Sequence, residues 1–239
     1  MSYAKLMIHD NIGHIQGRIE AVCKRLGRKV DEITLVAVSK TFGNEVIREA
    51  LDAGLLDFGE NYVQEFTRKT AEFEKTAIRW HFIGHLQRNK VKDVIAKTFL
   101  IHSVDSSRLA EEISTQAAKR GLTAKFLLEV NTSGESTKFG LRPDETLDTV
   151  RSISRIPNLE LEGLMTIGPF LPDPEQSRPA FRTLRELRDQ AVTAGIPLRH
   201  LSMGMTNDFE VAIEEGATII RIGTALFGKR TRSTIQANI

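Results

Sequence analysis

The apolar run Leu35-Val36-Ala37-Val38 leads straight into Ser39 and Lys40. Four apolar residues in succession read as a strand buried on both faces, the kind found in parallel sheets. A lysine at the end of such a strand is a candidate nucleophile. Partial burial lowers the pKa of its ammonium, and the freed lone pair can attack a carbonyl carbon to form a Schiff base. The competing reading is a lysine whose stem packs while its head reaches water. Arg221 is the second unusual residue, inside the apolar stretch Thr218-Ile219-Ile220-Arg221-Ile222. A strand arginine needs a partner, either a carboxylate such as Glu129 or Glu162 or the acceptor nitrogen of a ring. Two loops join glycines to hydroxyls, Ser202-Met203-Gly204 and Gly223-Thr224. Their N–H groups, hydroxyls and glycines suit a phosphate, with a helix start near Thr206 adding a positive dipole end. Ordinary loop glycines and caps would give the same letters.

These residues need elements to bring them together. Ile12, Ile15, Ile19, Val22, Cys23 and Leu26 have helical spacing, and Gly27 is a plausible stop. Strands are then expected at about 33–38, 55–59, 79–84, 99–104, 125–130, 159–165, 198–202 and 218–222. Helical patterns lie between them. Asn44 is read as a cap, Glu60-Asn61-Tyr62 as the opening of a long polar helix, and Gly54, Gly121, Gly195 and Gly216 as stops. Alternation of this kind predicts a parallel sheet. Eight units in one domain-sized chain predict a closed (β/α)8 TIM barrel with an extra N-terminal helix. An open doubly wound sheet is the alternative, but it usually carries a glycine-rich turn after its first strand. Here that turn is Ser39-Lys40-Thr41-Phe42, with a single glycine at Gly43.

In such barrels the active site is built at the C-terminal ends of the strands. Lys40, Glu60 and Asn61, Gly84 and His85, Ser103 and Asp105, Asn131, Met165 and Thr166, Ser202, and Gly223 and Thr224 all fall on that rim. An arginine beside a pyridine nitrogen, together with a Schiff-base lysine, is a known protein lever on pyridoxal phosphate. His81 and His85 are candidates for acid–base work. They flank a strand end rather than sharing a helix face, so no metal site is expected. His102, at the centre of strand four, reads as a core histidine with its ring hydrogen-bonded. Lys138 either binds an anion or is solvated.

The chain has 239 residues, 41% hydrophobic and 27% charged, with a formal net charge of +2. That balance suits a well-filled core and gives no dense basic block for nucleic acid or membrane binding. The single cysteine, Cys23, fits a reducing compartment. No signal core and no apolar run of membrane length occurs, so a cytoplasmic protein is expected.

The chain resembles the pyridoxal phosphate homeostasis proteins, from about residue 8 to 228. The resemblance rests on Val36-Ala37-Val38-Ser39-Lys40-Thr41, Phe58 to Glu65, Trp80 to Gln87 with Asn89-Lys90, Leu164-Met165, Leu201 to Met205, and Arg221 to Gly228. It implies a single pyridoxal-phosphate-binding barrel domain over residues 1–239, of the alanine racemase N-terminal domain type. It implies a Schiff base on Lys40 and a phosphate held by Ser202, Met203, Gly223 and Thr224. Arg221 would face the ring nitrogen, and Asn61 would lie close to the ring. The family usually has Ser where this chain has Thr206, a change that keeps the hydroxyl.

The resemblance implies a role in vitamin B6 homeostasis, with the cofactor supplied to apo-enzymes. A weakly active pyridoxal-phosphate-dependent amino-acid racemase is the alternative. Racemisation in the related barrel enzymes uses a tyrosine from a second domain as a second base. The chain ends about ten residues after Gly228, so no such domain is expected, and its tyrosines are Tyr3 and Tyr62. Tyr62 reads as a packing residue. At most weak turnover and a monomer or weak dimer are the expectations, and the basic stretch Lys229-Arg230-Thr231-Arg232 reads as a solvated end.

Overall fold

The structure is a computed structural model that describes residues 3–135 and 137–228. Eight parallel strands close into one barrel in sequence order, and the last pairs with the first. They are β1 (Thr34–Val38), β2 (Asp57–Glu60), β3 (Arg79–Phe82), β4 (Leu100–Val104), β5 (Ala124–Glu129), β6 (Leu159–Met165), β7 (His200–Ser202) and β8 (Ile219–Ile222). The helices are α1 (Tyr3–Leu26), α2 (Asn44–Asp52), α3 (Val63–Glu72), α4 (Val91–Val94), α5 (Ser107–Ala118), α6 (Pro143–Ile153), α7 (Arg178–Thr193), α8 (Phe209–Glu214) and α9 (Thr224–Phe227). The predicted alternation is therefore the observed one.

The fold follows from apolar periodicity on two shells. Outward-facing strand residues pack against the helices; Trp80, for example, lies 5.9 Å from Phe58 and 6.4 Å from Phe66 between ring centroids. Inside the barrel, Val36, Leu100, Leu127, Met165 and Ile219 form a separate apolar layer. The extra helix α1 buries Ile8, Ile12, Ile15, Ile19, Val22 and Cys23. It packs against α8, α9 and α2, with Asn11 Nδ2 donating to Leu226 O at 3.0 Å. Gly27, at φ 67°, ends it as its letter suggested.

Several boundaries differ from the sequence reading, for local reasons. Gly43, not Asn44, is the residue before α2, and no side chain caps that end. The second strand starts at Asp57 and runs through Glu60, whose Cα pairs with Phe82. Glu60 therefore closes a strand rather than opening a helix. The short helix after β3 splits into a 3-10 turn at Arg88–Lys90 and α4. Tyr62, expected to pack, is 54% exposed. The basic stretch Lys229–Arg232 lies outside the described residues.

Candidate active site at the C-terminal mouth

A cavity of about 500 Å³ opens at the C-terminal ends of the strands, and Lys40, Asn61, Arg221, Gly223 and Thr224 all line it. Five of the seven residues singled out from sequence thus meet in one place. Ser202 and Met203 do not line it. The Ser202 hydroxyl is fully buried beneath Arg221, accepting from Arg221 Nη1 at 2.6 Å and meeting His102 Nδ1 at 2.9 Å. The Met203 N–H is spent on Ile219 O at 3.1 Å. Thr206 lines the cavity instead, and its hydroxyl accepts from the Ala225 N–H at 3.4 Å. That bond ties the loop after β7 to the first turn of α9. Gly204 O accepts from Arg221 N at 3.0 Å and Asp208 Oδ1 from Met205 N at 2.7 Å, so the loop is stitched at both ends. Gly204 sits at φ 92°, and a Cβ there would lie 2.9 Å from Phe209 Cα. Only glycine allows this tight return to α8.

Arg221 is 5% exposed. Besides Ser202, it donates from Nη2 to Thr166 O at 2.9 Å. A guanidinium has five N–H donors, so these two bonds hold it while others remain for the cavity. Burial pulls its pKa down to about 10, against the attraction of Glu129 and Asp208. Glu129 is itself buried. Burial and the nearby Asp105 push its carboxyl up to about 7, and Arg221 offsets part of that. An acid poised near neutrality beside a buried arginine is a feature of functional sites.

Asn61 brings an orphan. Its Oδ1 is buried with no hydrogen-bond partner among the described residues. Gly84 explains its placement: a Cβ there would overlap the Asn61 carbonyl oxygen and lie 2.7 Å from Asn61 Cα. The glycine in the Trp80–Gln87 motif lets the end of β3 close against Asn61.

Lys40 is set between two clamped neighbours, which sequence reasoning missed. Lys69 of α3 is fully buried. Its Nζ donates to Ser39 O at 2.8 Å, Glu60 Oε1 at 2.7 Å and Glu65 Oε2 at 2.9 Å. Ser39 Oγ donates to the same Glu60 oxygen at 2.6 Å, and the Thr41 N–H donates to Glu65 Oε2 at 2.8 Å. The residues on both sides of Lys40 are thereby fixed from behind the sheet. Thr41 needs the restraint, since its φ of 69° is unusual for a β-branched residue. Glu60, expected to be no more than a helix-start residue, is the centre of this clamp. Burial raises its carboxyl above the usual range, against the pull of the Lys69 ammonium.

The histidines divide. His81 and His102 lie in the barrel interior, with ring nitrogens 2.9 Å apart. His85 is outside the cavity, stacked on Phe139 at 3.8 Å between centroids and 3.3 Å from Asp105. Lys138 Nζ pairs with Glu135 at 2.6 Å and donates to Gly168 O at 3.1 Å. Among the described residues, no group of three His, Cys, Asp or Glu side chains could hold a metal ion. None of their helices is long and apolar enough to cross a membrane.

A parallel eight-stranded barrel with a lysine after its first strand and an arginine in its last defines a class, and comparison with known proteins identifies it. The family described as alanine racemase, N-terminal domain, matches residues 12–231. The barrel superposes on an alanine racemase of Clostridium difficile with a TM-score of 0.74 at 16% identity, covering 95% of this chain and 58% of that one, which is a likeness of fold. A protein of Aquifex aeolicus named pyridoxal phosphate homeostasis protein is 48% identical over 222 residues, 92% of this chain and 97% of the relative. The PipY protein of Synechococcus elongatus, solved with PLP bound, is 34% identical with a TM-score of 0.75, covering 88% of this chain and all of that one (100%). The chain belongs to the pyridoxal phosphate homeostasis protein family.

Proposed function

We propose that this chain is a cytoplasmic, single-domain protein that binds pyridoxal 5'-phosphate in the C-terminal cavity as a Schiff base on Lys40. It regulates the supply of the cofactor to apo-enzymes and has at most slow turnover of its own. One observation carries the reading: an amine, a buried guanidinium, an orphaned amide and two threonine hydroxyls line a single cavity. Pyridoxal phosphate, when bound, supplies an aldehyde carbon for an amine and a ring that withdraws electrons. The donor set fits it. Lys40 provides the amine. Arg221, held by Ser202 and Thr166, offers N–H donors to the ring nitrogen. Asn61 provides the amide near the ring. Thr206, Gly223 and Thr224 offer hydroxyls and close backbone approach to the phosphate. The relative solved with PLP bound supports the same choice.

The clamp of Lys69, Glu60 and Glu65 orients the Lys40 backbone, and the apolar side chains of Val38, Ile83 and Ile167 line part of the same cavity. A racemase would need a second base facing Lys40 across the cavity. Tyr62, the candidate from sequence, is exposed and does not line it.

The test is a titration of dialysed protein with pyridoxal phosphate, read by visible absorption, followed by mixing with an apo-enzyme. One equivalent should give a shifted visible band, and the loaded protein should reactivate the apo-enzyme. No spectral change at saturating cofactor contradicts the binding reading. Loading without reactivation contradicts the supply role alone.

A further inference from the structure

A file of polar side chains crosses the barrel interior, where barrels of this class stack apolar layers. Asp57 stands at the start of β2, His81 in β3, His102 in β4, Ser202 at the end of β7 and Arg221 in β8. All five are buried. Arg221 Nη1 meets Ser202 Oγ at 2.6 Å, Ser202 Oγ meets His102 Nδ1 at 2.9 Å, and His102 Nε2 meets His81 Nδ1 at 2.9 Å. His81 Nε2 meets Asp57 Oδ1 at 3.0 Å, and both Asp57 oxygens also accept from Arg79. The file therefore joins the cavity at one mouth of the barrel to an ion pair at the other.

The protons in it can be placed one by one. Burial pushes the Asp57 carboxyl up, but bonds and charge from His81 and Arg79 outweigh that and hold it below its ordinary value. It is ionised and only accepts, so His81 carries its proton on Nε2. Burial holds both rings neutral: it lowers His81 against the pull of Asp57, and lowers His102 far, with the Arg221 cation lowering it further. His81 Nδ1 is then an acceptor and takes the Nε2 proton of His102. His102 Nδ1 is an acceptor in turn and takes the Ser202 hydroxyl proton. Ser202 Oγ is left to accept from Arg221, which has donors only. Reversing the file would set a ring lone pair against the Asp57 carboxylate. The charge at the far mouth thus fixes the direction of every bond, and such aligned bonds strengthen one another.

We propose that Asp57, His81 and His102 are positioning residues for the cofactor site, whose one-way hydrogen-bond file makes Ser202 the fixed acceptor that anchors Arg221 toward the ring end of the cavity. This rests on the pyridoxal phosphate reading for the identity of the ring, but not for the file itself.

Two experiments test it. The first needs no ligand. Long-range proton–nitrogen NMR of histidine-labelled protein at neutral pH should show His81 and His102 both neutral with the proton on Nε2. A proton on Nδ1 of either ring overturns the file, whether or not the protein binds the cofactor. The second compares pyridoxal phosphate with an analogue that has carbon in place of the ring nitrogen. The wild-type chain should prefer the nitrogen ligand. In Asp57→Asn and His102→Phe that preference should fall about five- to tenfold, the scale of one net hydrogen bond, with affinity for the carbon analogue kept. Equal weakening of both ligands, or an unchanged preference, means a purely structural file and overturns the proposal. The NMR result decides the matter if either variant does not fold.

Discussion

Lys40→Ala is expected to abolish the visible band that pyridoxal phosphate gives with the wild-type chain. It should also raise the Kd for the cofactor on the order of a hundredfold, ~2.7 kcal/mol. The covalent attachment would be gone, while Arg221, Asn61, Thr206 and Thr224 would still recognise the ring and the phosphate, so binding should weaken rather than vanish. Folding should be nearly indifferent. Lys40 is half-buried at a strand end, outside the apolar core, and such substitutions usually change stability by less than about 1 kcal/mol. Absorption titration and urea unfolding of both proteins make the comparison. A retained band would show that another amine carries the cofactor. A large loss of stability would show that Lys40 is structural.

Lys69→Met is expected to do the opposite: to damage the fold first and the site as a consequence. The substitution leaves the Glu60 carboxylate buried with its cation removed, and strips Ser39 O and Glu65 of the same donor. Breaking one side of a buried ion pair costs about 3–5 kcal/mol, a large share of the 5–15 kcal/mol that typically separates folded from unfolded. The urea midpoint should fall accordingly. Adding Glu60→Gln should recover much of the loss, because the stranded charge is then removed. Cofactor affinity should drop in the single variant even where it is folded, since Thr41 would lose the Glu65 geometry that steadies its positive φ. A single variant within about 1 kcal/mol of wild type contradicts the clamp.

What was legible in the sequence and what was not follow from the range of the interactions. Strand order and barrel closure were legible because apolar runs, repeated eight times, and the glycine stops between them are local signals. Lys40 and Arg221 were legible because each is a charged residue set in an apolar strand pattern. The role of Lys69 was not, because a lysine in a polar helix carries no mark of burial; only the fold turns it under the Ser39 carbonyl. Glu60 was hidden by a strand end read one residue early and a helix start read three residues early. Read as a helix start it faces solvent, whereas at the end of β2 it points at α3. Ser202 was correctly placed at a strand end, but its facing was not legible. The alternation of β7 turns its hydroxyl inward to Arg221, and Thr206 takes the place at the cavity. The pairing of His81 with His102 joins neighbouring strands, and no spacing rule marks it. Their one signal was a pair of imidazoles inside apolar strands.

The proposed function stands or falls with Lys40 as the amine that carries the cofactor. Borohydride reduction of the protein loaded with pyridoxal phosphate, followed by peptide mass mapping, tests it most directly. One pyridoxyl group per chain is expected, on the peptide that contains Lys40. A pyridoxyl group found instead on Lys69, Lys90 or Lys138, or no fixed label at all, would contradict it.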